Sequence, residues 1–187
     1  MKQCVIVIPG LFSRRKFFDK LVRKWQENGI KAEIFRINWF SKKENYFNIQ
    51  RKLLKRVNEL KKKNKLVTLI GTSGGGTFTF SVLAQRINKL HKLVLVCSPL
   101  TEENSIRVSL GKSLSSVFKE SLRICRKRKD LVSISERKNI LIVIPRFDEL
   151  VPISAMKLAG AEILEINTKE HFKGINFAMK ERFGQIC

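Results

Sequence analysis

Aspartate is nearly missing from this chain. In 187 residues only Asp19, Asp130 and Asp148 occur, and Asp plus Glu number 16 against 38 Lys plus Arg, a formal charge of +22. A balance this basic favours an anionic partner, whether nucleic acid, an acidic membrane surface or a negatively charged substrate, but it carries no information about fold. A lysine-rich compositional bias would produce the same surplus. Histidine is scarcer still, with only His91 and His171. The four cysteines, Cys4, Cys97, Cys125 and Cys187, show no C-x-x-C spacing, so with two histidines they make no usual zinc site and no disulfide framework. Cys4 and Cys97 lie in apolar runs and read as reduced core thiols. No stretch approaches the roughly 20 apolar residues of a membrane span. The first apolar run, Cys4 to Ile8, stops at Pro9-Gly10, too short for a signal peptide. These absences leave a cytoplasmic globular protein of one domain, 1–187, as the expectation. Hydrophobic residues at 43% and only 10 glycines and 4 prolines exclude a disordered chain.

What is present is a rhythm. A short β-branched run followed by a longer amphipathic stretch recurs six times, with strands expected at 3–8, 32–37, 65–70, 92–97, 139–144 and 161–166. Helices are expected at about 14–28, 45–63, 74–89, 104–129, 153–159 and 173–183. In the second of these Phe47, Leu53, Leu54, Val57 and Leu60 fall on one face, with lysines and arginines opposite. Four of the strands are almost wholly apolar, as strands buried on both faces of a parallel sheet must be. The alternation predicts an α/β fold: one doubly wound, mostly parallel six-stranded sheet with helices on both faces. The longest insertion, 99–138, reads either as an ordinary crossover helix with a solvated basic end at Arg126-Lys127-Arg128-Lys129 or as a small lid. In the second reading, that basic run is the expected contact surface for an anionic partner.

In such a sheet ligands sit beyond the carboxyl ends of the strands, which sorts the polar residues. Gly71-Thr72-Ser73-Gly74-Gly75 follows the third strand and opens a helix. This G-x-S-x-G spacing leaves a serine exposed on a turn too sharp for side chains at its outer positions, beside helix N–H groups that favour negative charge. A phosphate cradle is the competing reading, but no Lys-Ser/Thr pair follows and the glycines are not in dinucleotide order. A serine hydroxyl needs a base. His91 precedes the fourth strand and lies at the wrong edge; His171 follows the sixth, in the loop Asn167–Phe172. The base needs a carboxylate. Asp148 follows the fifth strand, with Glu149 as its rival, whereas Asp19 and Asp130 fall on the wrong side. The order Ser73, Asp148, His171 places three groups at one edge.

In these residues the chain resembles the α/β-hydrolase superfamily over essentially its whole length. The likeness is to small serine hydrolases or esterases that lack the two antiparallel N-terminal strands. The resemblance implies Ser73 as nucleophile, Asp148 (with Val151-Pro152 following) as acid, His171 as base, and an oxyanion hole at the N–H groups of Leu11 and Gly74. It also implies no cofactor. The sequence departs from the family's pattern at Pro9-Gly10, where His-Gly is frequent, and at Glu170, where glycine often precedes the histidine.

Phe12, Trp39, Phe40, Leu100, Phe147 and Phe172 also lie in carboxyl-edge segments, together with Leu11 and Leu150. They either line an apolar substrate pocket or close the end of the core. The expectation is a serine hydrolase cleaving a carboxylic ester or thioester, with a small-molecule acyl substrate and no specific nucleic-acid partner. The alternative is a non-enzymatic basic module of the same fold on an anionic surface, membrane or nucleic acid. A weak attraction to anionic membrane or acidic substrate is compatible with either.

Overall fold

Six β-branched runs pair side by side into one sheet of order β2-β1-β3-β4-β5-β6, and every pairing is parallel. The strands are β1 (Gln3–Ile8), β2 (Lys31–Ile34), β3 (Leu66–Thr72), β4 (Lys92–Val96), β5 (Ile140–Pro145) and β6 (Glu162–Ile166). The computed structural model describes residues 3–63, 65–84, 90–101 and 115–181. Central strands β3, β4 and β5 are buried nearly throughout, as strands covered on both faces require. The edge strands differ. In β6 only Ile166 is buried, and β2 stops at Ile34 rather than running to 37. With a neighbour on one side only, β2 makes one further ladder bond, from the Phe35 N–H to the Val7 carbonyl, and leaves the sheet.

The helices are α1 (Arg15–Glu27), α2 (Tyr46–Lys62), α3 (Gly74–Leu83), α4 (Ser116–Arg128), α5 (Ile134–Arg137), α6 (Ile153–Met156) and α7 (His171–Glu181). Right-handed crossovers put α2, α3 and α4 on one face, where they pack on one another. α1 and α7 share the other face, with the Lys180 ammonium over the Phe17 ring. Every residue of α3 is buried, as befits a helix enclosed by the sheet and α4. The side chain of Asn45 caps α2 by accepting from the Asn48 N–H, and Tyr46, Ile49, Leu53, Val57 and Leu60 form its inner stripe. Phe47, expected on that stripe, is instead 57% exposed. One residue past Tyr46 is about 100° around the helix, off the buried face.

Of the 99–138 insertion, residues 116–128 are a crossover helix packed on α3. The lid reading falls on 102–114, outside the described residues, as does the stretch 85–89 expected to extend α3. Because α4 runs back toward the amino ends of the strands, Arg126 and Lys127 lie at the edge opposite Ser73. Among the described residues no helix is long and apolar enough to cross a membrane.

Candidate active site

Ser73 sits between β3 and α3 with φ 50° and ψ −130°, a conformation that non-glycine residues seldom adopt. The turn is held by the Ser73 N–H donating to the Val96 carbonyl at 2.8 Å and by the Ser73 carbonyl accepting from Gly76 at 2.9 Å. Its hydroxyl caps nothing in its own helix. Instead Ser73 Oγ lies 2.9 Å from His171 Nε2, and His171 Nδ1 lies 2.6 Å from Asp148 Oδ2. Ionised carboxylate oxygens only accept, so Nδ1 carries the ring proton and Nε2 is left to accept from the serine hydroxyl.

This chain of groups is sealed from water on its inner side. The side chain of His171 is 2% exposed and that of Asp148 is 0% exposed. Burial of a carboxylate is costly unless its oxygens are satisfied. The second oxygen of Asp148, Oδ1, accepts from the N–H groups of Leu150 at 2.9 Å and Val151 at 2.8 Å. A short turn after β5 thus fixes the carboxylate before it meets the ring. His171 does not lie in a loop, as the sequence led one to expect. It is the first residue of α7, and the Gly174 N–H bonds to the Glu170 carbonyl behind it. A helix start is a firmer mount for a ring than a loop is.

Glu149, the rival carboxylate, has a different partner. Its Oε2 accepts from the backbone N–H of His171 at 2.8 Å. Consecutive carboxylates therefore hold one histidine at two points, ring and main chain. Sequence inspection chose Asp148 and kept Glu149 as its rival, without a role for Glu149 at the main chain of His171. Cys97, after β4, is fully buried close by with φ 49°. Burial pushes its thiol well above the ordinary range, and the negative charges of Asp148 and Glu149 push it the same way.

The Leu11 N–H belongs to the loop after β1 and the Gly74 N–H to the start of α3, and the two segments meet at the Ser73 turn. Gly74 is the first residue of α3, so its N–H has no acceptor within the helix. Gly10 brings the β1 loop onto this turn, with its N–H 3.3 Å from Thr72 Oγ1. A Cβ on Gly10 would stand 2.6 Å from the Thr72 carbonyl oxygen, 2.8 Å from Ser73 Cβ and 3.0 Å from the Gly74 nitrogen. Only glycine allows that approach. Leu11 is buried, and its side chain occupies the space beside Gly74 that a larger residue would need. Neither N–H has another acceptor among the described residues.

The apolar residues expected around the site divide into two groups. Trp39 and Leu100 are buried; Leu100 closes the core, whereas Trp39 packs edge-on against Phe78 and Phe118 and also borders the hollow between the β1 and β2 loops. Phe12, Phe40, Phe147 and Phe172 are about half exposed on the same edge as Ser73. Phe12 and Phe40 meet at a 40° tilt with centroids 5.5 Å apart, and Phe172 meets the His171 ring edge-on at 5.3 Å. A hollow of about 240 Å³ opens between the β1 and β2 loops, lined by Gly10, Phe12, Phe18, Ile37, Trp39 and Phe40 together with the polar groups of Ser13, Arg36 and Asn38. Arg36 and Asn38 were not singled out from the sequence; a shortened β2 places them there. Arg36 is paired with Asp19.

Both the all-parallel sheet and its crossover order define the α/β-hydrolase fold without its N-terminal antiparallel pair. Solved structures carry the same likeness. A Bacillus licheniformis lipase superposes with a TM-score of 0.75 at 12% identity, over 99% of this chain and 92% of that one. A monoacylglycerol lipase from Paleococcus ferrophilus gives 0.67 at 14% identity, over 100% and 95%. An α/β hydrolase from the metagenome of Mar Chica lagoon sediments in Morocco gives 0.61 at 18% identity, over 99% and 88%. No protein-family model matches the chain, and no curated protein matches it. At these identities the likeness establishes the fold.

Proposed function

We propose that the protein is a serine hydrolase that cleaves a carboxylic ester or thioester through an acyl-enzyme. The observation that carries this reading is the hydrogen-bond chain from Ser73 Oγ through both His171 nitrogens to a buried Asp148. The hydroxyl attacks the acyl carbonyl carbon as its proton passes to His171 Nε2. The oxygen that gains the negative charge is met by the Leu11 and Gly74 N–H groups. His171 then returns the proton to the departing alkoxide or thiolate, and the acyl group stays on Ser73. Water, deprotonated by the same nitrogen, attacks the acyl-enzyme; the acid is released and the serine hydroxyl restored. Asp148 orients the ring and stabilises the imidazolium in both halves. The hollow between the β1 and β2 loops accepts one substituent of the substrate, small by the standard of ligand pockets.

Support also comes from the names of the structural neighbours, among which lipases and esterases recur. A fluorophosphonate should attach to one residue, Ser73, located by peptide mass spectrometry. Ser73→Ala and His171→Ala should each lower turnover of a p-nitrophenyl ester by about 10³-fold or more. Labelling that survives Ser73→Ala would sink the reading.

A further inference from the structure

Eight large apolar side chains are strongly exposed among the described residues, and every phenylalanine in that set is at one edge of the sheet. Phe12 follows β1, Phe40 follows β2, Phe147 follows β5, and Phe47 and Phe172 sit in the first turns of α2 and α7. These are the segments that leave the carboxyl ends of the strands, where Ser73 opens. The remaining three, Leu131, Ile134 and Ile163, lie elsewhere: two just after α4, at the amino edge, and one on β6.

Among the described residues, the exposed charges on that edge that lack an ionic partner share one sign. Arg14, Lys16, Lys42, Lys43 and Lys169 are exposed there, and none forms an ion pair among the described residues. Among the described residues, the carboxylates of the same edge are already engaged. Asp148 and Glu149 hold His171, Glu44 pairs with Lys52, and Glu170 pairs with Lys173. Free cations therefore alternate along the rim with phenyl rings that have no polar tip. Arg126 and Lys127, in the basic run the sequence draws attention to, lie at the opposite edge.

We infer that this carboxyl-edge rim docks on an anionic lipid bilayer, with the phenyl rings entering the headgroup region and the lysines and arginines meeting lipid phosphates. The charge complement is that of polybasic membrane sites, in which each cation near an anionic leaflet adds about fivefold to binding and salt removes it. Phenylalanine gains by leaving water for the acyl boundary and needs no hydrogen-bond partner there. The inference deepens the hydrolase reading, since it names the surface from which the substrate is taken, and it can fail separately from it.

The test is flotation of the full chain with vesicles of phosphatidylcholine alone and of phosphatidylcholine with about 30% phosphatidylglycerol. Binding should be confined to the anionic vesicles and should fall steeply between about 50 mM and 500 mM salt. Lys42→Gln with Lys43→Gln should weaken it about 25-fold, and Phe47→Ser should weaken it further. Turnover of a soluble short-chain neutral ester should be unchanged in these variants. Arg126→Gln with Lys127→Gln should leave binding within about twofold, and Ser73→Ala should bind as the parent does. Equal binding to both vesicle types, or a larger loss from the Arg126/Lys127 pair, overturns the proposal. So does tighter retention on single-stranded RNA than on the anionic vesicle. A protein that labels at Ser73 but floats with no vesicle loses the docking surface and keeps the hydrolase reading.

Discussion

The two edges of this sheet solve the same turn problem in opposite ways. At the amino edge, where chains enter β2 and β6, left-handed backbone is supplied by Gly29 at φ 80° and Gly160 at φ 83°. At the carboxyl edge it is supplied by Phe12, Ser73 and Cys97, all non-glycine, after β1, β3 and β4. Glycine adopts such angles without steric cost, whereas a side chain there stores about 1–3 kcal/mol. Strain is accepted where a side chain is needed and avoided where it is not. The same asymmetry extends to polarity. His91, before β4, is exposed, whereas His171 and Asp148 are buried against each other. One edge serves connection, and the other carries the candidate site.

The largest effect expected from breaking this contrast is on the carboxylates. Asp148→Asn keeps the shape but gives the Nδ1 proton a weaker acceptor and permits the wrong tautomer, so kcat should drop by about 10⁴. Glu149→Gln retains an oxygen that can accept from the His171 N–H, so its turnover should stay within about threefold of the parent. Glu149→Met loses that acceptor at a net hydrogen-bond cost of about 1 kcal/mol. Steady-state kinetics on one ester decides the order. Greater sensitivity at Glu149 would mean that the main-chain anchor, not the ring partner, controls the base.

A smaller but sharper comparison uses one glycine from each edge. Gly10→Ala would put a Cβ 2.6 Å from the Thr72 carbonyl oxygen, so the β1 loop must lift away from the turn. Overpacking of this kind costs about 1–3 kcal/mol. Displacement of the Leu11 N–H by a fraction of an ångström to 1 Å should cost up to about 10²-fold in turnover. Gly29→Ala meets nothing within 4 Å but must hold φ at +80°. It should lower stability by about 1 kcal/mol and leave turnover alone. Denaturant midpoints and ester kinetics on both variants give the four values. Loss of turnover in Gly29→Ala would erase the distinction between the edges.

How much of this was legible beforehand depends on the range of the interaction involved. The sheet was readable because apolar runs such as Leu93 to Val96 can be buried on both faces only in its middle, and alternation with helices then forces parallel pairing. The meeting of Ser73, Asp148 and His171 at one edge was readable because chain order and sheet edge are coupled in a doubly wound fold. Phe47 was misplaced because one residue of helical phase separates a buried face from water, and Tyr46 took the inward position. His171 was expected in a loop since no strong capping pattern marks the start of α7. The two bonds from Asp148 Oδ1 and the anchor from Glu149 depend on turn geometry over a few residues, which composition does not encode. The hollow beside Gly10 arises from an edge strand that ends early, a result of pairing on one side only.

The smallest expected effect bears most directly on the contrast between the edges, because it isolates backbone strain from chemistry. Ser73→Ala and Ser73→Gly both remove the hydroxyl and its bond to His171, so the proposed function expects both to be inactive, and they differ only in a Cβ. At ordinary positions in regular structure alanine is the more stabilising of the two by roughly 0.5–1 kcal/mol, since glycine loses more backbone entropy on folding. At φ 50° and ψ −130° the order should reverse. Alanine must hold the same strained angles as serine, while glycine reaches them freely, and the relief of about 1–3 kcal/mol exceeds the entropy loss. Ser73→Gly should therefore be the more stable by about 1 kcal/mol, seen as a higher urea midpoint at an unchanged slope. An unchanged slope matters, because a shift in it would place the difference in the unfolded chain. If alanine proves as stable as glycine, the turn holds no strain at Ser73. The serine would then owe its position to the crowding of Gly10, Gly71 and Gly74 around it, not to an energetic concession made at that edge.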